Sequence, residues 1–262
     1  MRIASLQPSI SITLAHLGRL DTLVACTRYC VDAVPELALR RIPVLHDSWS
    51  ANTEEILATR PDLVIASVPY RMESLAAILK TGLPVLALAP HSLADIAKDT
   101  RLLASLVQAV EPGETLIHTL QHSLAQTRQR AQAVPIRPLV YCEEWGKPLL
   151  HSQPWVAELV EAAGGRFLGA AGKATTPEAI AAADPDVLVF AWCGAGDRVP
   201  LHRVLQQRNW QHLRAAQSGQ VYCIPDEFLN TPAIPLLEGL SCLASAIHPR
   251  LFSTHPRLIR LV

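Results

Sequence analysis

Short apolar, β-rich runs alternate along this chain with segments whose apolar residues recur every three or four positions. Residues 3–6 read as a strand, and Pro8 and Ser9 lead into a helix that stops at Gly18; residues 22–26 read as a second strand, followed by a proline-bearing loop. From Asn52 the chain reads NTEEILATRPDLVIAS, and 124 residues later, from Thr176, it reads TPEAIAAADPDVLVFA. Glu54, Ile56, Ala58, Pro61 and Asp62 map onto Glu178, Ile180, Ala182, Pro185 and Asp186. Each copy predicts a short helix, a Pro-Asp break and a strand buried on both faces. Asn52 and Thr176 suit N-caps, the two glutamates fall in first turns, and each proline ends its helix.

The rest of the pattern follows the same plan. Residues 73–80 predict a helix ended by Gly82, and 84–88 a strand, so the first half holds four strands. A helix over 93–110 precedes Glu111-Pro112-Gly113. Beyond it, up to about Ala133, Leu116, Ile117, Leu120 and Leu124 share one face. Some 20 helical residues span about 30 Å, long enough to bridge two lobes. The second half predicts strands at 139–142, 166–168 and 220–224 and helices at 154–163, 201–207 and 232–247, the last with Leu236, Leu237, Leu240, Leu243 and Ile247 at helical spacing. Strand–helix alternation with short connections predicts parallel sheets flanked by helices. The expected fold is α/β: two Rossmann-like lobes, 1–110 and 135–262, joined by a single long bridging helix at 111–134.

Composition narrows the function. The 262 residues are half hydrophobic, which fits one large domain or two lobes with separate cores. Lys+Arg and Asp+Glu both number 23 and no basic cluster stands out, so no nucleic-acid partner is expected. Six scattered cysteines without a CxxC pair read as buried hydrophobes in a reducing compartment. The start MRIASLQPS enters a strand directly, and no run reaches the ~20 apolar residues of a membrane span. The expectation is a cytoplasmic protein as written, or a periplasmic one if a leader has been removed, and a monomer.

Ligands of open α/β sheets bind beyond the carboxyl ends of the strands. Six of the thirteen aromatic residues are expected at that edge: Tyr29, Trp49, Tyr70, Trp145, Trp192 and Phe228. Together they suit a large, flat, largely apolar ligand. Polar residues between them, among them Arg28, His46, Asp47, Glu143, Glu144, Asp226 and Asn230, either orient such a ligand or are solvated loop positions. Catalytic signatures are thin. The chain has no GxGxxG after the first strand, no GxSxG and no HExxH, and GAAGKAT at 169–175 lacks the spacing of a phosphate loop. His118 and His122 share a helix face without a third ligand nearby, and adjacent Glu143 and Glu144 are expected to point opposite ways. Neither metal nor catalytic residues are expected, and no cofactor.

RIASLQPSISITLAHLG, DTLVACT, NTEEILATRPDLVIAS and PVLAL resemble the amino lobe of class III substrate-binding proteins of ABC importers, which bind cobalamin, siderophores or haem. CEEWGKPL, PWVAELVEAAGG, ADPDVLVFAWCG and NWQHLRAAQSGQVYCIPDEF resemble the carboxyl lobe of the cobalamin-binding branch, particularly its leaderless members. The resemblance spans nearly the whole chain. It implies a non-catalytic binding protein that holds a corrinoid or related metal chelate in an interlobe cleft, with limited closure. By the same resemblance Glu54 and Glu178 are the points that dock on an ABC permease, Tyr29, Asp226 and Phe228 match ligand-contacting positions, and Trp49 falls within a residue of another. Ile12 and Ser67 depart from the family pattern, standing where a glutamate and a corrin-contacting tryptophan are usual. A cytoplasmic carrier or sensor that hands its ligand to an enzyme is the alternative, and an enzyme acting at the cleft the third.

Overall fold

A computed structural model describes residues 1–46, 50 and 52–261. It divides into two compact units, Met1–Thr119 and Leu120–Val262. The first carries a five-stranded parallel sheet in the order β3-β2-β1-β4-β5: β1 is Ile3–Ser5, β2 Leu23–Thr27, β3 Val44–Leu45, β4 Leu63–Ser67 and β5 Val85–Leu88. Helices Pro8–His16, Arg28–Ala33, Glu36–Arg40, Thr53–Ala58 and Met72–Lys80 connect them. The chain winds outward from β1 in both directions, and this places the carboxyl ends of β2 and β4 on either side of the central strand. Ala4, Leu6, Ala25, Leu45, Ile56, Val64 and Ala66 form one continuous core with Leu75 and Ile78 from the helix after β4.

Four strands were expected here, and the fifth is β3. It has two residues, one of them exposed, directly after Pro43, which is too short for an alternating pattern to register.

The second unit has a seven-stranded sheet ordered β12-β11-β10-β6-β7-β9, with β8 also paired to β6. Its strands are β6 (Leu139–Gly146), β7 (Leu149–His151), β8 (Arg166–Phe167), β9 (Ala174–Thr175), β10 (Val187–Phe190), β11 (Val221–Cys223) and β12 (Ile259–Arg260). β8, β6, β10 and β11 run parallel, whereas β7, β9 and β12 add antiparallel edges. Leu188 and Phe190 on β10 pack with Leu201, Val204 and Leu205 from the helix Leu201–Gln207 and with Trp210.

The repeat has one structural job in both units. Asn52 and Thr176 cap their helices, accepting from the backbone N–H of Glu54 (3.0 Å) and Ala179 (3.2 Å). Ile56 and Ile180 are buried. Asp62 accepts the backbone N–H of Arg2 and Asp186 that of Leu139, each at 2.7 Å. The backbone N–H of each aspartate donates back to the same residue's carbonyl at 2.8 Å. The Pro-Asp break therefore ties the start of each repeated strand to the start of the neighbouring strand, β1 or β6.

The helix expected over 93–110 ends at Leu106, where Val107 closes it and Gln108 takes a left-handed φ of 55°. Glu111-Pro112-Gly113, expected as a break, forms the first turn of the helix Val110–Ala131. Proline near a helix N-terminus removes only an N–H that has no intrahelical partner. Gly113 is required by packing: a Cβ there would lie 2.4 Å from the Cβ of Ala104 on the preceding helix. This 22-residue helix runs through the residue boundary between the units.

Candidate functional site

In the second unit the carboxyl ends of β6 and β10 open into a cleft of about 790 Å³. Trp145 and Trp192 wall it together with Leu149, Pro177, Pro200 and Val204, and Lys147, Cys193, Arg203, Gln207 and Arg208 supply its polar lining. Trp145 was expected on a loop beyond a strand ending at Cys142. Instead β6 continues to Gly146 and turns through Lys147-Pro148 into β7, so Trp145 sits on a hairpin and its indole N–H donates to the Lys147 carbonyl at 2.8 Å. Gly146 is what lets Trp192 lie against the hairpin, because a Cβ there would meet the Trp192 ring at 2.9 Å.

Trp192 is held from behind. Its indole N–H donates to Glu143 Oε1 at 2.8 Å. Glu143 is wholly buried and also accepts from the Tyr141 hydroxyl (2.6 Å) and from both terminal nitrogens of Arg208 (2.7 and 2.8 Å). The Arg208 guanidinium lies 4.8 Å from the Trp210 ring centre and 5.9 Å from that of Trp192. A buried carboxylate persists when paired and fully hydrogen-bonded, and this one is both. Glu143 is therefore a post for Trp192 rather than an acid/base group. Burial and the neighbouring Glu143 charge push the Tyr141 hydroxyl far above its ordinary range, so it stays a neutral donor.

Glu144 points elsewhere, as its adjacency predicts. It accepts from Gln153 at 2.8 Å and from the Cys193 thiol at 3.7 Å, and burial raises its carboxyl above the usual range. Asp226 is occupied structurally: its two oxygens accept the backbone N–H groups of Gly194 and Gly196, each at 2.8 Å, fixing the loop after β10. Phe228 packs edge-on to His255 at 5.9 Å and under Arg257 at 5.5 Å, and it is not among the residues that line the tryptophan cleft. The cleft thus joins Trp145 with Trp192, leaves Phe228 outside, and adds Arg203, Gln207 and Arg208, which the sequence reading did not single out.

In the first unit Tyr29 is exposed at the start of the helix after β2, with the Arg28 guanidinium 4.7 Å from its ring centre. It lines a smaller cleft of about 380 Å³ with Thr27, Arg28, Val44, Leu45, His46 and Ser50. Trp49 and Asp47 lie outside the described residues. Tyr70, expected at the ligand edge, is half-buried against the first unit's core. Ile12 and Ser67 are buried, so the two departures from the family pattern fall inside the packed unit. Glu54 and Glu178 are both exposed one residue into their helices. Gly169 of the GAAGKAT stretch packs directly on the buried His151 ring and serves as a turn. Among the described residues no group of three His, Cys, Asp or Glu side chains is arranged to hold a metal ion, and no helix is long and apolar enough to cross a membrane.

Two α/β units with ligand-sized clefts at their strand ends are the build of a solute-binding protein. Residues 3–228 match the family described as Periplasmic binding protein, and the chain belongs to that family. It is 26% identical over 253 residues to the Vitamin B12-binding protein of Vibrio cholerae, covering 91% of this chain and 86% of that one. It is 22% identical to an ABC transporter substrate-binding lipoprotein, YvrC, of Bacillus subtilis, covering 96% and 81%. A periplasmic heme binding protein from Pseudomonas aeruginosa has the same fold, with a TM-score of 0.85 at 24% identity over 100% of this chain and 98% of that one.

Proposed function

We propose that this protein is the substrate-binding component of an ABC-type importer and captures a corrinoid or related flat metal chelate without transforming it. The observation that carries the reading is the cleft of about 790 Å³ walled by Trp145 and Trp192, whose volume lies in the range of small-molecule sites and whose indoles offer flat apolar faces. The Glu143–Arg208 pair keeps one of those faces fixed before ligand arrives, which lowers the ordering cost of binding. Tyr29 is the first unit's contribution to ligand contact, with Trp49 and Tyr70 as the other proposed contacts there. Asp226 acts indirectly, by fixing the loop after β10, and Phe228 is the weakest of the proposed contacts.

Glu54 and Glu178 are proposed as the docking points for the permease. Both are exposed, and each stands at the same place in one copy of the repeat, so two units present the same acidic feature. Relatives described as B12-binding, heme-binding and ABC substrate-binding support this class of function.

Titration of the protein with cobalamin, iron protoporphyrin and a ferric siderophore, read by tryptophan fluorescence, tests the ligand class. Saturable quenching by one of them is expected, and no response to any chelate rejects the class.

A further inference from the structure

Resting on the proposed chelate cleft, we propose that Lys147 and Arg203 make it selective for a ligand whose rim carries carboxylates, over one of the same shape whose rim is uncharged. The cleft's described lining contains three cations, Lys147, Arg203 and Arg208, and no aspartate or glutamate. Arg208 is already neutralised by Glu143. Lys147 and Arg203 are exposed, and neither has an ion-pair or hydrogen-bond partner for its charged group among the described residues. They come from different elements, Lys147 from the turn between β6 and β7 and Arg203 from the helix Leu201–Gln207.

Three acids bonded to lining residues are already engaged. Glu143 is taken by Arg208, Tyr141 and Trp192, Glu144 accepts from Gln153, and Asp226 holds two backbone N–H groups. Tryptophan walls with two uncommitted cations in the same lining are complementary to a flat ring with acidic side arms. A ring bearing only amides at its rim could accept hydrogen bonds from both cations but would leave them without a counter-charge. Exposed cations in a cleft lining also draw an anionic ligand in from solution, an effect that salt screens.

The experiment compares iron(III) protoporphyrin IX, which has two propionate arms, with its dimethyl ester, the same ring with the charges removed. Tryptophan quenching is followed at low and at high salt for the wild type, Arg203→Ala, Lys147→Ala and the double variant. The wild type is expected to bind the acid more tightly than the ester, and the preference to shrink in high salt. Each single variant should reduce the acid-over-ester preference by about three- to tenfold, as for partly screened charge pairs, and the double variant should abolish most of it. Equal affinity for acid and ester, or a preference untouched in Arg203→Ala and Lys147→Ala, overturns the selectivity while leaving the chelate cleft standing. Quenching by neither porphyrin, with cobalamin and a ferric siderophore equally silent, overturns the cleft reading and this inference with it.

Discussion

Arg208→Met keeps an unbranched side chain but deletes the guanidinium that meets Glu143 with two bonds at 2.7 and 2.8 Å and lies 4.8 Å from the Trp210 ring centre. Glu143 has no exposed surface. Without its partner it becomes a buried carboxylate held by one hydroxyl and one indole N–H, and breaking such a pair from one side costs about 3–5 kcal/mol. For a unit of this size that corresponds to a fall in Tm of roughly 10 °C. Urea unfolding followed by tryptophan emission is a suitable assay, because Trp145, Trp155, Trp192 and Trp210 all belong to the second unit. Adding Glu143→Gln to Arg208→Met should restore part of the loss: the amide oxygen still accepts from Trp192 while the unpaired charge is gone. A loss below about 1 kcal/mol in Arg208→Met, or a further loss on adding Glu143→Gln, refutes the argument that charge compensation at this site holds the tryptophan wall.

Three other predictions concern binding, pH and docking. Trp192→Ala removes one wall of the cleft and should weaken chelate binding by about 1–3 kcal/mol, measured by isothermal calorimetry with whichever chelate quenches the wild type. Burial and the neighbouring Asp95 charge raise the Asp99 carboxyl to about 6. Its folded pKa thus lies above its unfolded value, so stability should rise as pH falls from about 6 toward 4, and Asp99→Asn should flatten that slope and stabilise the protein near pH 7 by about 1 kcal/mol once solvent screening is allowed for. Charge reversal of both Glu54 and Glu178 to lysine should leave chelate quenching intact and abolish stimulation of the partner permease's ATPase in proteoliposomes; unchanged stimulation would remove these residues from the docking surface.

The architecture was readable because the signals that define it are local. Helix caps at Asn52 and Thr176, Pro-Asp breaks and doubly buried strands each announce themselves within a few residues, and their repetition gave two α/β units. What escaped were elements with no room for a period: β3, β9 and β12 have two residues each. The β6–β7 hairpin was missed because the strand's polar end, Glu143 and Glu144, reads as a loop until the buried partner of Glu143 is known. That partner, Arg208, lies 65 residues away on a different element, and no spacing rule connects the two. The site was legible in the same uneven way. Counting aromatics beyond strand ends found Trp145 and Trp192, which face one cleft. It could not show that Tyr70 also packs against the first unit's core, or that Phe228 also packs on His255 near the carboxyl end of the chain. The rim cations Lys147 and Arg203 carry no sequence signal, because an exposed lysine or arginine is ordinary until a cavity is seen beside it.

A crystal structure of the protein grown with the chelate that quenches its fluorescence shows whether the two tryptophans hold the ligand. The expected result is a flat ring lying against Trp145 and Trp192, with Trp192 still bonded to Glu143. A chelate seated away from both tryptophans contradicts it.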